Sequence, residues 1–312
     1  MKVMQVIETP KGLALQASER PVPKPGQGEL LLRVRAAGVT PTEMKWQPTT
    51  RKQDGSPRKH AIPAHEFSGD VVARGDEVEG FAVGQAIYGM NDWYQEGALA
   101  EFCLAPATSV ANKPKTLSYE QSATVPIGSL TAWQALTTHG HLKAGERVLV
   151  HGGAGGVGLF AVQFAKALGA HVIATAPAAA TPLVKKLGAD EVIDYHTSKF
   201  DKELRNIDFV LDTVGGETLE RSWNVLGPRG RLVTVASGIP ANAPQRTKDA
   251  FFIVEPDGHR LAEIAELLDS GKLLTFVKNA APLKDAELAY TNSLPPGLGY
   301  GKTVICLTAK KI

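Results

Sequence analysis

The sequence predicts an α/β protein in which a doubly wound parallel sheet is joined to a second, antiparallel β domain. Three patterns lead to this. The run Gly152-Gly153-Ala154-Gly155-Gly156-Val157-Gly158 stands between an apolar strand and an amphipathic helix. Beyond about Ser118, strand patterns alternate with helix patterns, which marks a parallel sheet. Before that point, short alternating runs follow one another closely, which suits an antiparallel barrel. At 312 residues the chain is too long for one ordinary small domain, so two are expected.

Lys2 to Ile7, Leu13 to Ala17, Glu29 to Ala36, Glu66 to Arg74, Gln85 to Gly89 and Ala98 to Leu104 each alternate as strands do. Pro21-Val22-Pro23-Lys24-Pro25-Gly26 punctuates them as an extended turn. Arg51 to His60 is polar and basic and reads as a solvated surface loop in preference to a binding patch. Arg147 to His151 is a buried strand, and Leu159 to Leu168 a helix that packs through Phe160, Val162, Phe164, Ala165 and Leu168. Val172 to Thr175, a helix near Pro182 to Leu187, Val192 to Asp194, Asp208 to Asp212, a helix from Glu217 to Val225 and Arg231 to Ala236 continue the alternation. Leu261, Ile264, Ala265 and Leu268 give a late helix, and Thr303 to Leu307 a last strand. The expected domains are residues 1–117, a nucleotide-binding domain over 118–250, and a return to the first domain over 251–312.

In this strand–turn–helix setting, Gly153-x-Gly155-x-x-Gly158 is a dinucleotide fingerprint. One glycine allows the tight turn, one lets the backbone meet a pyrophosphate, and one lets the helix press on the strand. The helix N-terminus then faces the anion. Sheets that prefer NAD present Asp or Glu about 20 residues on, to hold the ribose 2′-hydroxyl. Arg147 to Ala189 contains neither, so NADPH is expected over NADH. Thr175 and Thr181 offer hydroxyls, and Lys185 and Lys186 are either part of the phosphate site or a solvated helix face.

A net charge of +2 argues against a nucleic-acid or membrane partner. Apolar residues at 43% and charged residues at 21% suit a globular enzyme. Two distant cysteines, Cys103 and Cys306, make no disulfide framework and point to a reducing, cytoplasmic setting. No run is apolar for the roughly 20 residues of a membrane span. Met1 to Pro10 reads as a strand and not a signal peptide.

Further markers are Ala36-Ala37-Gly38-Val39, Pro63-Ala64-His65-Glu66-Phe67-Ser68-Gly69, Leu130-Thr131-Ala132-Trp133, Leu187-Gly188-Ala189-Asp190-Glu191-Val192-Ile193-Asp194-Tyr195 and Gly301-Lys302. With the glycine loop they run over nearly the whole chain, which resembles the medium-chain dehydrogenase/reductase superfamily in its zinc-free quinone oxidoreductase branch. That resemblance implies a GroES-like β-barrel domain with an inserted Rossmann domain, the cofactor in the cleft between them, and a homodimer. It implies cofactor contacts from Thr131, Gly153, Ala154, Gly155, Gly156, Val157, Gly158, Tyr195, Thr213, Val214, Ser237, Gly238 and Lys302, with Phe252 and Ile253 lining the nicotinamide pocket. The chain departs from relatives in two places. Pro177-Ala178-Ala179-Ala180 stands where NADPH users often carry Ser or a basic residue, and Thr40 and Glu43 stand where many quinone reductases carry Asn and Asp.

Zinc-dependent relatives need a Cys or similar ligand where this chain has Thr40, so the pair His65-Glu66 falls short of three protein ligands. His65 is expected to be a hydrogen-bonded structural residue. Without a Lewis acid, hydride transfer to a quinone or α,β-unsaturated carbonyl is the natural chemistry, because such an acceptor spreads its own charge. Thr40 and Tyr94 are the candidate donors to that oxygen, with Glu43 either polarising a donor or serving as an exposed helix-start carboxylate. Trp46, Met90, Trp93, Tyr94 and Phe252 either wall the substrate pocket or pack between domains. An enoyl reductase on carrier-bound substrates and a non-catalytic NADPH-binding protein are the alternatives.

Overall fold

The structure, a computed structural model, describes residues 1–236 and 238–307. The chain forms two compact units. The first contains Met1–Ile127, Pro256–Leu298 and the chain from Lys302, and the second contains Gly128–Glu255 with Gly299–Gly301.

In the first unit, β1 (Lys2–Thr9) and β2 (Gly12–Glu19) form an antiparallel hairpin. A larger sheet is built on β3 (Glu29–Gly38), β4 (Glu66–Arg74), β5 (Ala86–Met90), β6 (Phe102–Pro106) and β7 (Val110–Asn112). The strand β3 pairs with β4 on one side; on the other its first half pairs with β6 and its last residues with a strand from the chain's end. Register shifts after Leu31 and Val34 bend β3 and let it serve three partners. Leu30, Leu32, Val34, Phe67, Val71, Ile87 and Leu99 fill the interior. Their alternation along the strands is the pattern the sequence displays.

The second unit is a five-stranded parallel sheet of β8 (Arg147–Val150), β9 (His171–Ala176), β10 (Glu191–Asp194), β11 (Ile207–Asp212) and β12 (Leu226–Thr234), in the order β10-β9-β8-β11-β12. Val148, Leu149, Val150, Val172, Ile173, Phe209, Val210 and Leu211 are all at 0% exposure, as strands covered on both faces require. The strand order reverses at β8, which is followed by β9 and β10 on one side and by β11 and β12 on the other, so the ligand crevice of such a fold opens at the carboxyl ends of β8 and β11. The last strands, β13 (Val277–Pro282) and β14 (Lys302–Cys306), belong to the first unit, where β14 pairs with β3.

The unit boundaries differ from the expected breaks after 117 and 250. The turn Tyr119–Ser122 stays with the barrel because Ser68 Oγ donates to the Tyr119 carbonyl at 2.6 Å and the Tyr119 hydroxyl donates to Asp70. Residues 251–255 stay with the parallel sheet. Phe251 bridges to Thr234, the last residue of β12, and Gln134 brackets Glu255 through its carbonyl at 2.8 Å and its amide at 3.1 Å. Among the described residues no helix is long and apolar enough to cross a membrane.

Candidate active site

The second unit carries a dinucleotide cradle. β8 ends at Val150 and the chain turns through the glycines into the helix Gly158–Ala167. A Cβ on Gly158 would lie 2.0 Å from the Gly152 carbonyl oxygen, and one on Gly153 would lie 2.9 Å from Ala174 Cβ. Gly152 itself sits at φ +72°, in the left-handed region. Strand, turn and helix therefore close only around glycine. Gly155 is exposed at the tip, with Gly156 and Val157 half-buried beside it, while Ala154 is buried. Leu159 N donates to the Gly155 carbonyl at 3.0 Å and Phe160 N to the Val157 carbonyl at 3.1 Å, so the amides of Gly156, Val157 and Gly158 are the ones that stand without a backbone acceptor among the described residues, at the positive end of the helix dipole. A backbone cradle of this kind, in a stretch of chain without one carboxylate, fits a diphosphate.

Buried polar groups fix the cradle from beneath. Gly152 N donates to Thr175 Oγ1 at 3.1 Å, and Gly153 N to the Thr175 carbonyl at 2.8 Å. The His151 ring meets Thr175 Oγ1 at 3.2 Å and Ser222 Oγ at 2.9 Å. Burial, reinforced by the nearby Arg221 guanidinium, pulls His151 down to about 3, so the ring is neutral at physiological pH. Thr213 Oγ1 donates to the His151 carbonyl at 2.7 Å. The fully buried Asp212 carboxylate accepts from Val214 N and Gly215 N, each at 3.1 Å, and from Thr234 Oγ1 at 2.7 Å. Thr175, expected to offer a hydroxyl to the cofactor, is 3% exposed and spends it on the loop instead.

The other residues expected at the cofactor are more dispersed. Thr131 is buried in the helix Pro126–Gln134. Phe252 stacks on His139 with ring centroids 4.1 Å apart, and Ile253 is exposed. Lys185, Tyr195 and Val214 are exposed, and Gly238 holds φ +89°. Ser237 lies outside the described residues.

The first unit gathers a buried polar cluster. Glu43, on the 3-10 turn Pro41–Lys45, is wholly enclosed and not the exposed helix-start carboxylate of the blander expectation. Its Oε1 accepts from Ala64 N at 3.0 Å and from the Tyr290 hydroxyl, and its Oε2 meets His65 Nδ1 at 2.7 Å. The other ring nitrogen of His65 meets the Gln95 carbonyl at 3.1 Å. Burial, together with the Glu43 carboxylate, pushes the Tyr290 phenol well above its ordinary range. Nearby, Lys302 donates to Thr40 Oγ1 at 3.1 Å and forms an ion pair with Glu66, which is also wholly buried. Burial pulls the Lys302 ammonium down to about 7 against the opposing attraction of Glu43. Lys302, implied to contact the cofactor, is therefore committed to Glu66 and Thr40. Replacing Glu43 with leucine leaves His65 and Tyr290 without their shared partner, and the expected cost is about 3 kcal/mol in urea unfolding.

Among the residues expected either to wall the substrate pocket or to pack between domains, Met90 and Trp93 are buried. Met90 is at 0% exposure on β5 and packs the interior, so it walls no open pocket. Trp93 is nearly enclosed between Trp46, 4.3 Å away edge-on, and His65, at 5.0 Å. Tyr94 is exposed at the tip of the same loop. The basic segment 51–60 is not wholly solvated either. The Arg58 side chain is 7% exposed and donates to the carbonyls of Pro48 at 2.8 Å, Trp93 at 3.1 Å and Gln95 at 2.6 Å, fixing that loop. Tyr290, Arg58, His151 and Ser222 are the structural finds. Only the apolar neighbours of His151 hinted at its burial in the sequence.

These donors do not fit a zinc ion. His65 has both nitrogens engaged, Glu66 faces an ammonium, and Thr40 accepts from that ammonium. Among the described residues no group of three or more His, Cys, Asp or Glu could hold a metal.

Comparison with known proteins gives the family. Residues 26–115 match the alcohol dehydrogenase GroES-like domain, and residues 156–256 the zinc-binding dehydrogenase domain. A mouse mitochondrial NAD(P)H oxidoreductase, RTN4IP1, is 33% identical over 89% of this chain and 81% of its own length. The chain belongs to the medium-chain dehydrogenase/reductase family. The quinone oxidoreductase of Coxiella burnetii superposes with a TM-score of 0.84 at 28% identity over 99% of both chains. A mycobacterial protein solved with NADPH superposes at 0.79, with 30% identity over 98% of this chain and 100% of its own. This member of the family is an oxidoreductase built on a GroES-like domain and a pyridine-nucleotide-binding Rossmann-like sheet.

Proposed function

We propose that the protein reduces quinones or α,β-unsaturated carbonyls with NADPH and without a metal ion. The observation that carries this reading is the commitment of the groups that would hold a cation. His65 is spent on Glu43 and Gln95, and Glu66 on Lys302, so an acceptor must disperse its developing charge by its own conjugation. Preference for NADPH is supported by the lack of any carboxylate from Arg147 to Ala189, and by a structural neighbour bound to NADPH.

The glycine loop and the start of the helix Gly158–Ala167 hold the diphosphate, and Thr175, His151 and Thr213 keep that loop from moving. The reduced dinucleotide supplies a hydride. Thr40 and Tyr94 donate hydrogen bonds to the acceptor's oxygen, and small conjugated acceptors are the partners this chemistry selects.

Fluorescence titration is expected to give at least about tenfold tighter binding of NADPH than of NADH. Absorbance assays should show turnover of quinones, alkenals or enones, no oxidation of simple alcohols with NADP, and zinc well below one ion per chain in fully active protein. Tighter NADH, or activity that tracks stoichiometric zinc, refutes the reading.

A further inference from the structure

We infer that Lys302 acts on the acceptor through Thr40: its ammonium polarises the Thr40 hydroxyl, which donates to the carbonyl oxygen as negative charge builds there. The inference rests on the reading above and adds a residue to it. The geometry begins at Gly38, where a Cβ would lie 2.5 Å from both Cγ and Oε1 of Glu66. The missing side chain lets the Glu66 carboxylate occupy that space. One of its oxygens accepts from Ile127 N at 2.9 Å, and the other faces the Lys302 ammonium. The ammonium is thereby held in place and donates to Thr40 Oγ1 at 3.1 Å.

Burial and hydrogen-bonding capacity together sort the roles within this chain of contacts. Glu66 is fully enclosed, while Lys302, with an 11% exposed side chain, and Thr40 are both half-buried. Lys302 is engaged by both Glu66 and Thr40, so Thr40 is the member through which the charge can meet a ligand. Its oxygen accepts from the ammonium, which leaves its own O–H to donate. A hydroxyl that accepts from a cation is a stronger donor, the more so where water is scarce. The other charge near Lys302 is Glu43, and its oxygens are already occupied by Ala64, His65 and Tyr290.

In the step this serves, hydride leaves the reduced nicotinamide, which is oxidised, and bonds to the β-carbon of an enone. The C=C pair shifts to join the α-carbon to the carbonyl carbon, and the carbonyl π pair moves onto oxygen. Thr40 stabilises that oxygen by its hydrogen bond. A proton from water then completes the saturated ketone, and Lys302 keeps its protons throughout. Lys302 is a positioning residue here, and Thr40 is the group that touches the substrate.

The test compares Thr40→Val, Thr40→Ser, Lys302→Arg and Lys302→Met, with Lys302→Met/Glu66→Gln as a variant that buries no unpaired charge. Thr40→Val is expected to lose about 100-fold in kcat, the scale of one oxyanion donor. The neutral double variant should lose about tenfold, with little change in KM or cofactor affinity, and Thr40→Ser and Lys302→Arg should restore most of the rate. A second readout needs no turnover. The protein without cofactor is titrated with 4-nitrophenol, whose yellow anion wild type should favour more than Thr40→Val or the double variant does. The inference falls if wild type reduces conjugated acceptors while the double variant keeps its kcat within twofold, or if 4-nitrophenol ionises equally on all the proteins. Lack of any turnover by wild type sinks the functional reading alone, and the phenol titration still decides the role of Lys302.

Discussion

Alanine at Gly158 is expected to weaken NADPH binding by at least about 100-fold, close to 3 kcal/mol. The added Cβ would stand 2.0 Å from the Gly152 oxygen, 2.7 Å from its carbonyl carbon and 2.8 Å from Gly153 Cα, all of them backbone. No flexible side chain end is there to swing aside. The helix must withdraw or the turn must open, and either movement takes the helix amides away from the diphosphate. Overpacking of this kind also costs about 1–3 kcal/mol of stability. Gly227→Ala is the control, since its nearest neighbours lie at 3.5 Å or beyond. Calorimetric titration of both variants decides the matter. A Gly158→Ala protein that binds within threefold of wild type would remove the cradle from the binding site.

Acidification is expected to unfold the second unit through His151. The ring is 1% exposed and titrates at about 3, against an ordinary value of 6.5, because burial penalises its charged form. Between those two values the unfolded chain binds a proton that the native one refuses. Stability due to the neutral ring is fully present above about pH 6.5 and is lost progressively as pH falls, amounting to about 5 kcal/mol by pH 3. Carboxylates titrate over the same range, so the informative quantity is the difference between wild type and His151→Gln. Urea unfolding from pH 7 to pH 4 should fall more steeply for wild type, by close to one proton. Parallel curves would mean that the ring is already charged or hydrated in the native state. The cradle should loosen along the same profile, because His151 holds Thr175 and receives Thr213.

Much of the second unit was legible because its determinants are local. A strand of Val148, Leu149 and Val150, a turn that tolerates no Cβ, and a helix with a clear apolar face depend on residues within a few positions of one another. Loop ends were less so. β7 is three residues long, and β13 is half-exposed with Lys278, Asn279 and Pro282 interrupting its pattern. Neither offers enough alternation to stand out. The turn at Tyr119 looked like the start of a new domain, yet its hydroxyl and carbonyl are satisfied by Asp70 and Ser68, partners that composition does not reveal.

The sequence by itself determined the glycine cradle, the alternation that builds a parallel sheet around it, and the lack of an acidic residue to favour NAD. These follow from backbone sterics and short periodicities, which any reader of the chain can evaluate. Only the tertiary structure decided what the buried charges do. Glu43 meets Tyr290 across 247 positions and Thr40 meets Lys302 across 262, while Thr175 turns inward to hold Gly152. A carboxylate or ammonium removed from water must find a partner wherever the fold brings one, and that choice depends on which strands lie side by side, not on spacing along the chain.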